Sequence, residues 1–237
     1  MAVLTGQRVL LIGGGSGIGL ACARAISSAG ARVTIAGRNR ARLEQAAASI
    51  GKVEIATVDL LESTSVEALF KSIGPLDHLV LPGSDAKFGG IRELSVDVAH
   101  SSMESKFWGP YRVVKAATLS EKGSIVLFSG AASRRPSTSS ASLTAINAAV
   151  EALGKALALE LAPVRVNVVS PGLISDTGWS EALPLAARRA MFEQSAKRSP
   201  LKRVGRPQDV ADVVLMLLTN LNMTGAVIDV DAGALLV

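Results

Sequence analysis

The chain of 237 residues has 25 Lys and Arg against 20 Asp and Glu, and is 49% hydrophobic but only 3% aromatic. That length supports one large core or two small ones, and its single cysteine, Cys22, excludes an internal disulfide framework. The arginines have no aromatic residues interleaved to stack bases, no apolar run reaches the ~18 residues of a membrane span, and no secretory leader pattern opens the chain, so neither nucleic acid nor membrane is expected as partner and the cytoplasm is the expected compartment.

The apolar run Val9-Leu-Leu-Ile12 predicts a first strand, and Leu20 to Ile26 has the spacing of a helix starting near Ser16. Between them lies Gly13-Gly-Gly-Ser-Gly-Ile-Gly19. Strand, glycine turn and helix together form the context of a dinucleotide site. Glycine takes the positive φ of a tight turn, and its missing side chain lets backbone close on a pyrophosphate. The helix N-terminus then offers free N–H groups to that anion.

A second strand is expected at Arg32–Ala36, followed by a helix through Arg42 and Leu43. A third strand, Val53–Val58, ends at Asp59, and a helix follows over about Ser63–Ser72, with Ser63 or Thr64 as cap and Glu67 completing a capping box. The fourth strand is His78–Leu81, stopped by Pro82-Gly83. One long helix is expected from about Ser95 to Ser120, then a fifth strand, Ser124–Phe128, and a serine-rich loop over Gly130–Ser140. An alanine-rich helix from about Ser142 to Leu161 leads to a sixth strand, Val164–Val169, and then Ser170-Pro-Gly172. An irregular insert spans residues 173–204, a helix follows Pro207, and Ala226–Val230 is the last strand. This alternation argues for one α/β domain over residues 1–237, a doubly wound parallel sheet of about seven strands with helices on both faces.

In these stretches the chain resembles the short-chain dehydrogenase/reductase family along its whole length. Gly13, Gly17 and Gly19 match that family's Gly-x-x-x-Gly-x-Gly, Asp59-Leu60 its adenine-contacting acidic residue, and Pro171-Gly172 the turn that closes over the nicotinamide. Arg203–Ala211 and Thr224–Gly233 look like its C-terminal signatures. The resemblance implies a Rossmann fold whose cofactor contacts fall at Gly13, Ser16, Gly17, Ile18, Gly19, Arg38, Asp59, Leu60, Gly83, Asn147, Pro171, Gly172 and Ile174. Cofactor choice follows from charge after the second strand, where a carboxylate would select NAD. Here the sequence is Gly37-Arg38-Asn39-Arg40, with no acid, and Arg38 can give a bidentate contact to a phosphate. NADP(H) is therefore favoured over NAD(H).

The resemblance also implies a small-molecule substrate, no metal, and a homodimer or homotetramer. Relatives use a Tyr-x-x-x-Lys pair, a serine and an asparagine for hydride transfer. Matching Asn147–Leu153 to the family's Lys-Ala-Ala-Val-Glu-Ala-Leu puts Asn147 at the lysine, Leu143 at the tyrosine and Gly130 at the serine, with Ser129 beside it. Lys106 falls at the asparagine, as though the two residues had exchanged places. Lys106, Ser129 and Asn147 are thus the candidate catalytic residues. Lys106 acts as anion binder or general acid if buried, and is otherwise a helix-surface charge. The expected function is NADP(H)-dependent oxidoreduction of a small carbonyl or alcohol-like substrate through a non-standard site. The alternative is an inactive NADP(H)-binding homologue serving as sensor or assembly partner. Asp85 and Lys87 are placed at the cleft entrance. Tyr111 is expected to pack on another helix face, and His78 and His100 to be structural. The insert at 173–204 corresponds to a substrate lid, with Trp179, Leu183, Leu185, Met191 and Phe192 as apolar cover.

Overall fold

The computed structural model describes residues 3–178 and 183–237. Its seven strands are β1 (Arg8–Ile12), β2 (Arg32–Gly37), β3 (Val53–Thr57), β4 (Leu76–Leu81), β5 (Leu119–Phe128), β6 (Arg165–Pro171) and β7 (Val227–Val230). They form one parallel sheet in the order β3-β2-β1-β4-β5-β6-β7. The order reverses between β1 and β4, and an open sheet leaves a crevice beyond its strand ends at that point.

Both faces of the sheet are covered, which is why its strands read as unbroken apolar runs. Alternation within each strand sorts the side chains. Val9, Leu11, Val80 and Val126 pack with α1 (Gly17–Ser28), α2 (Arg40–Ile50) and α8 (Pro207–Thr219). Leu10, Leu79, Ile125 and Leu127 pack on the other side with α3 (Ser63–Ile73), α5 (Gly109–Ala116) and α6 (Ala141–Glu160). Helix α1 turns Gly19, Cys22, Ala23 and Ile26 inward, small side chains that let it lie close to the sheet. Burial pushes the Cys22 thiol up to about 12, so it is an inert packing group.

Two buried polar groups are fully used. Arg165 donates to Leu217 O at 2.7 Å and Leu218 O at 2.9 Å, capping the C-terminal carbonyls of α8. The His78 ring faces Ser124 Oγ at 2.8 Å and Gln7 Oε1 at 2.6 Å, and burial, then nearby Arg165, lowers it to about 4. Its role is structural, as expected. Helix α6 is long and apolar enough in composition to cross a membrane. Its Leu143, Ile146, Val150 and Leu157 are nevertheless buried in the fold, which makes it a core helix.

Three expectations need correction. The long helix ends early and is interrupted: α4 (Val96–Met103) passes into a π turn, Glu104–Trp108, and then α5, which stops at Ala116. Residues 119–123 instead lengthen β5, because Leu76 N donates to Thr118 O at 2.9 Å and Leu119 pairs with Leu76. The capping box at α3 does not form: Glu62 is the N-cap, without a side-chain bond. Ser65 Oγ accepts from Asp59 N at 3.0 Å instead, tying the helix to the end of β3.

Candidate active site

The first site residues are set by backbone contact. Gly13 has φ +100°, and a β carbon there would stand 2.6 Å from Gly83 Cα. A β carbon on Gly19 would meet Gly13 O at 1.9 Å. Glycine is thus required where the β1 turn meets the β4 loop and where α1 crosses beneath it. Ser16 is the exposed N-cap of α1 in extended backbone, so the first N–H groups of the helix face outward.

Above this turn opens a cleft of about 340 Å³. It gathers Gly13, Ser16, Arg38, Asp59, Leu60 and Gly83, all of them expected from the sequence. It also gathers Asn39, Arg42, Ser84, Asp85 and Lys87. Gly17, Ile18 and Gly19 lie in α1, with Gly17 at φ +50° and close to Asp176 and Thr177. Pro171 ends β6, and Gly172 N donates to Val230 O at 3.0 Å. Ile174 is buried and pairs with Gly205. Asp59 Oδ1 accepts from Leu61 N at 3.0 Å, which fixes the carboxylate at the end of β3.

The second group lies where β5 meets α6. The π turn has a cause in sequence: Pro110 has no N–H to give the carbonyl of Lys106, so the α ladder breaks there. Gly109 N donates to Glu104 O, five residues back. Arg112 braces the turn, bonding Glu104 Oε2 at 2.7 Å and Leu60 O at 3.2 Å. In this turn Lys106 points inward and donates from Nζ to Ser129 O at 3.0 Å, and burial lowers its ammonium to about 8. It is not a helix-surface charge.

Asn147, only 1% exposed, donates from Nδ2 to Gly130 O at 3.4 Å, while its Oδ1 has no partner. Such an orphan is costly, and it is the kind of acceptor a bound hydroxyl would satisfy. A β carbon at Gly130 would stand 3.1 Å from Asn147 Nδ2, so the glycine makes room for the amide. Leu143 is buried one turn before Asn147. Ser129 Oγ donates to Glu151 Oε1 at 2.9 Å, and Ser133 Oγ donates to the same oxygen at 2.6 Å. Arg134 approaches Glu151 at 3.7 Å and bonds Asp229 and Ser170 Oγ. Glu151, one turn beyond Asn147 on α6, thus organises the serine-rich loop. Only its four-residue spacing from Asn147 could have singled it out.

Other expectations resolve simply. Tyr111 faces away from Lys106 but packs at the surface, 42% exposed, with ring centroids 6.4 Å from Phe107 and 5.6 Å from Trp108. His100 is exposed on α4, and no group of metal-ligating side chains exists among the described residues. Trp179 lies outside the described residues. In α7 (Leu185–Arg198), Met191 and Phe192 are half-buried, while Leu185 and, before the helix, Leu183 are exposed.

The doubly wound sheet with its glycine turn at the switch point defines a dinucleotide-binding Rossmann protein. Comparison with known proteins narrows the class. The family model described as Enoyl-(Acyl carrier protein) reductase matches residues 13–234. The chain is 35% identical to "Short-chain dehydrogenase/reductase ATR9" of Stachybotrys chlorohalonatus, covering all of both proteins. Among solved structures, the MalC Reductase/Diels-Alderase of Malbranchea aurantiaca superposes with a TM-score of 0.90 at 29% identity, covering 99% of this chain and 98% of that one. A small-chain dehydrogenase in complex with NADPH gives 0.85 at 35% identity, covering 98% of this chain and 100% of that one. The chain belongs to the short-chain dehydrogenase/reductase family of oxidoreductases.

Proposed function

We propose that this chain is an NADP(H)-dependent reductase or dehydrogenase of small carbonyl or alcohol-like substrates, working through a site rebuilt around Lys106 and Asn147 in place of the family's tyrosine, serine and lysine. The observation that carries this reading is the pairing at the end of β5. Lys106 Nζ sits on Ser129 O, and Asn147, whose Nδ2 is turned to Gly130 O, keeps a buried Oδ1 without a partner.

The chain's own residues fit the cofactor. The cradle between Gly13 and Gly83 would be filled by any side chain, and the α1 N-terminus supplies anion-binding N–H groups. Arg38 stands in the same cleft with no carboxylate at the end of β2 to oppose a 2′-phosphate. Asn147 Oδ1 would accept a ribose hydroxyl and so satisfy its buried oxygen. Pro171, Gly172 and the backbone of Ile174 would line the nicotinamide end. When bound, the cofactor supplies the hydride.

Leu143 has no proton to exchange, so the proton at the substrate oxygen falls to Lys106. Its ammonium is held by a neutral carbonyl rather than a carboxylate, and burial brings it close to neutrality, the range in which a general acid is effective. Ser129 Oγ donates its hydrogen bond to Glu151 Oε1, so the residue acts through its backbone, with its carbonyl aiming the lysine. The insert at 173–204 would close over the substrate. The exposed Trp108 and Tyr111, with the alanines on the outer face of α6, support assembly as a homodimer or homotetramer.

The test is NADPH consumption across a panel of carbonyl and imine substrates, with Lys106→Met alongside wild type. Turnover in wild type and its loss in the variant support the reading. Equal turnover removes Lys106 from the mechanism, and binding of NADPH without turnover on any substrate supports a sensor.

A further inference from the structure

The loop after β4 carries charges that the glycine turn does not use. Asp85 stands between two cations at the cleft mouth: Lys87 Nζ lies 2.6 Å from its Oδ1, and Arg38 Nη2 lies 3.4 Å from its Oδ2. Arg38 comes from the end of β2 and Lys87 from the opposite wall, so the carboxylate bridges the opening.

The backbone beneath this bridge is pinned. Asp85 N donates to Ser105 Oγ at 2.7 Å, and Lys87 N donates to Ser102 Oγ at 3.1 Å. Ser102 is fully buried in α4 and donates to Val98 O at 2.8 Å. Both side chains are therefore presented from fixed positions rather than from a drifting loop. The other nearby cations are placed differently. Arg40 is turned to Glu44 at 2.9 Å, and Arg42 lies over Gly15, where a β carbon would be 3.2 Å from its Cγ.

The bridge is well formed but weak. Side-chain exposure is 59% for Arg38, 57% for Lys87 and 49% for Asp85, and ion pairs so wet contribute little. A phosphate dianion brings twice the charge of the carboxylate to the same two donors, and more acceptor oxygens. The Asp85 carboxyl is held below the usual carboxylate range, chiefly by Lys87 and also by Arg38, so it remains a charged competitor.

We infer that Lys87 is the second cation of a 2′-phosphate subsite, facing Arg38 across the cleft, and that Asp85 is an internal anion occupying this subsite until the phosphate displaces it. The inference rests on the NADP(H) reading above and assigns part of the discrimination to residues outside the β2 terminus. Lys87 then contributes affinity only toward the phosphorylated dinucleotide, whereas Asp85 costs affinity toward that ligand alone.

The experiment is calorimetric titration of wild type, Arg38→Ala, Lys87→Met and Asp85→Asn with NADPH, NADH and adenosine 2′-monophosphate, with thermal melting to confirm folding. Lys87→Met should weaken NADPH and adenosine 2′-monophosphate about five- to tenfold and leave NADH within about twofold. Asp85→Asn should tighten the same two ligands about threefold. A Lys87→Met variant that weakens NADPH and NADH alike, or neither, overturns the assignment of Lys87. Weakening of NADPH by Asp85→Asn would make the carboxylate a scaffold for the cations and overturn its role as competitor. Wild type binding NADH as tightly as NADPH would defeat the NADP(H) reading and this inference together. A wild-type preference removed by Arg38→Ala but untouched by Lys87→Met would leave that reading standing and defeat this inference alone.

Discussion

The two groups of candidate residues, one at the β1–α1 turn and one where β5 meets α6, are built on opposite principles. At the β1–α1 end the work is done by backbone and by exposed charge: glycines that admit no β carbon, a helix N-terminus, and cations in contact with water. Where β5 meets α6 it is done by a half-buried ammonium on a carbonyl and a buried amide with an unused oxygen. The first end tolerates almost no change in shape but is open to changes in charge. Substitutions of the exposed cations and of Lys106 should therefore act on binding and on turnover respectively, while Asn147 belongs with binding.

The largest effect should come from shape at the binding end. Gly19→Val drives a side chain into Gly13 O and should cost at least about 3 kcal/mol of folding stability, read by denaturant melts, together with the loss of NADPH binding. A variant of normal stability and affinity would break the contrast. Next is Lys106→Met, which should lower turnover about a hundredfold, ~2.7 kcal/mol, while NADPH affinity stays within about twofold.

The pH profile sharpens this point. The ammonium is present below about 8 and lost above it, so reduction by wild type should fall about tenfold per unit above that value. The variant should lack that limb, and a wild-type profile flat to pH 10 would remove the lysine as acid.

A smaller effect has opposite signs in its two readouts. Asn147→Leu removes a buried unpartnered oxygen, so the cofactor-free protein should melt higher by about 1 kcal/mol of stability. NADPH should bind roughly tenfold more weakly, because a ribose hydroxyl loses its acceptor. Loss of both stability and affinity would mean the amide is structural. Smallest is salt: raising it tenfold should shrink the NADPH-over-NADH preference by only a few-fold, through screening of the exposed Arg38 and Lys87. The pH midpoint of turnover should stay nearly fixed, since Lys106 lies inside.

Sequence was most legible where geometry is local. The glycine turn, the alternation of strands and helices, and the missing acid after β2 each depend on neighbours within a few positions. Lys106 could be placed at a family position, but whether it turned inward depended on Pro110 and on packing against β5. Residues 119–123 have the composition of a helix end, yet they extend β5 because Leu76 offers a ladder partner, which no local pattern carries. The contacts of Glu151 with Ser129 and of Arg38 with Asp85 were illegible for the same reason, although Asp85 and Lys87 could be placed at the cleft entrance. Their partners lie 22 residues away for Ser129 and 47 for Arg38, with no spacing rule to connect them.

The π turn before Pro110 also has a consequence for helix phase. One additional residue in a helical turn rotates everything beyond it by about 100° relative to everything before it. Ser102 before the turn and Gly109, Pro110 and Val113 after it can therefore all be buried although their spacings are out of step, and Trp108 and Tyr111 can sit toward solvent while Lys106 reaches Ser129. Removing a single residue between 104 and 108 would do more than shorten the segment. It would force a choice between burying the lysine and burying Val113, so the length of this turn is under the same constraint as the identity of its side chains.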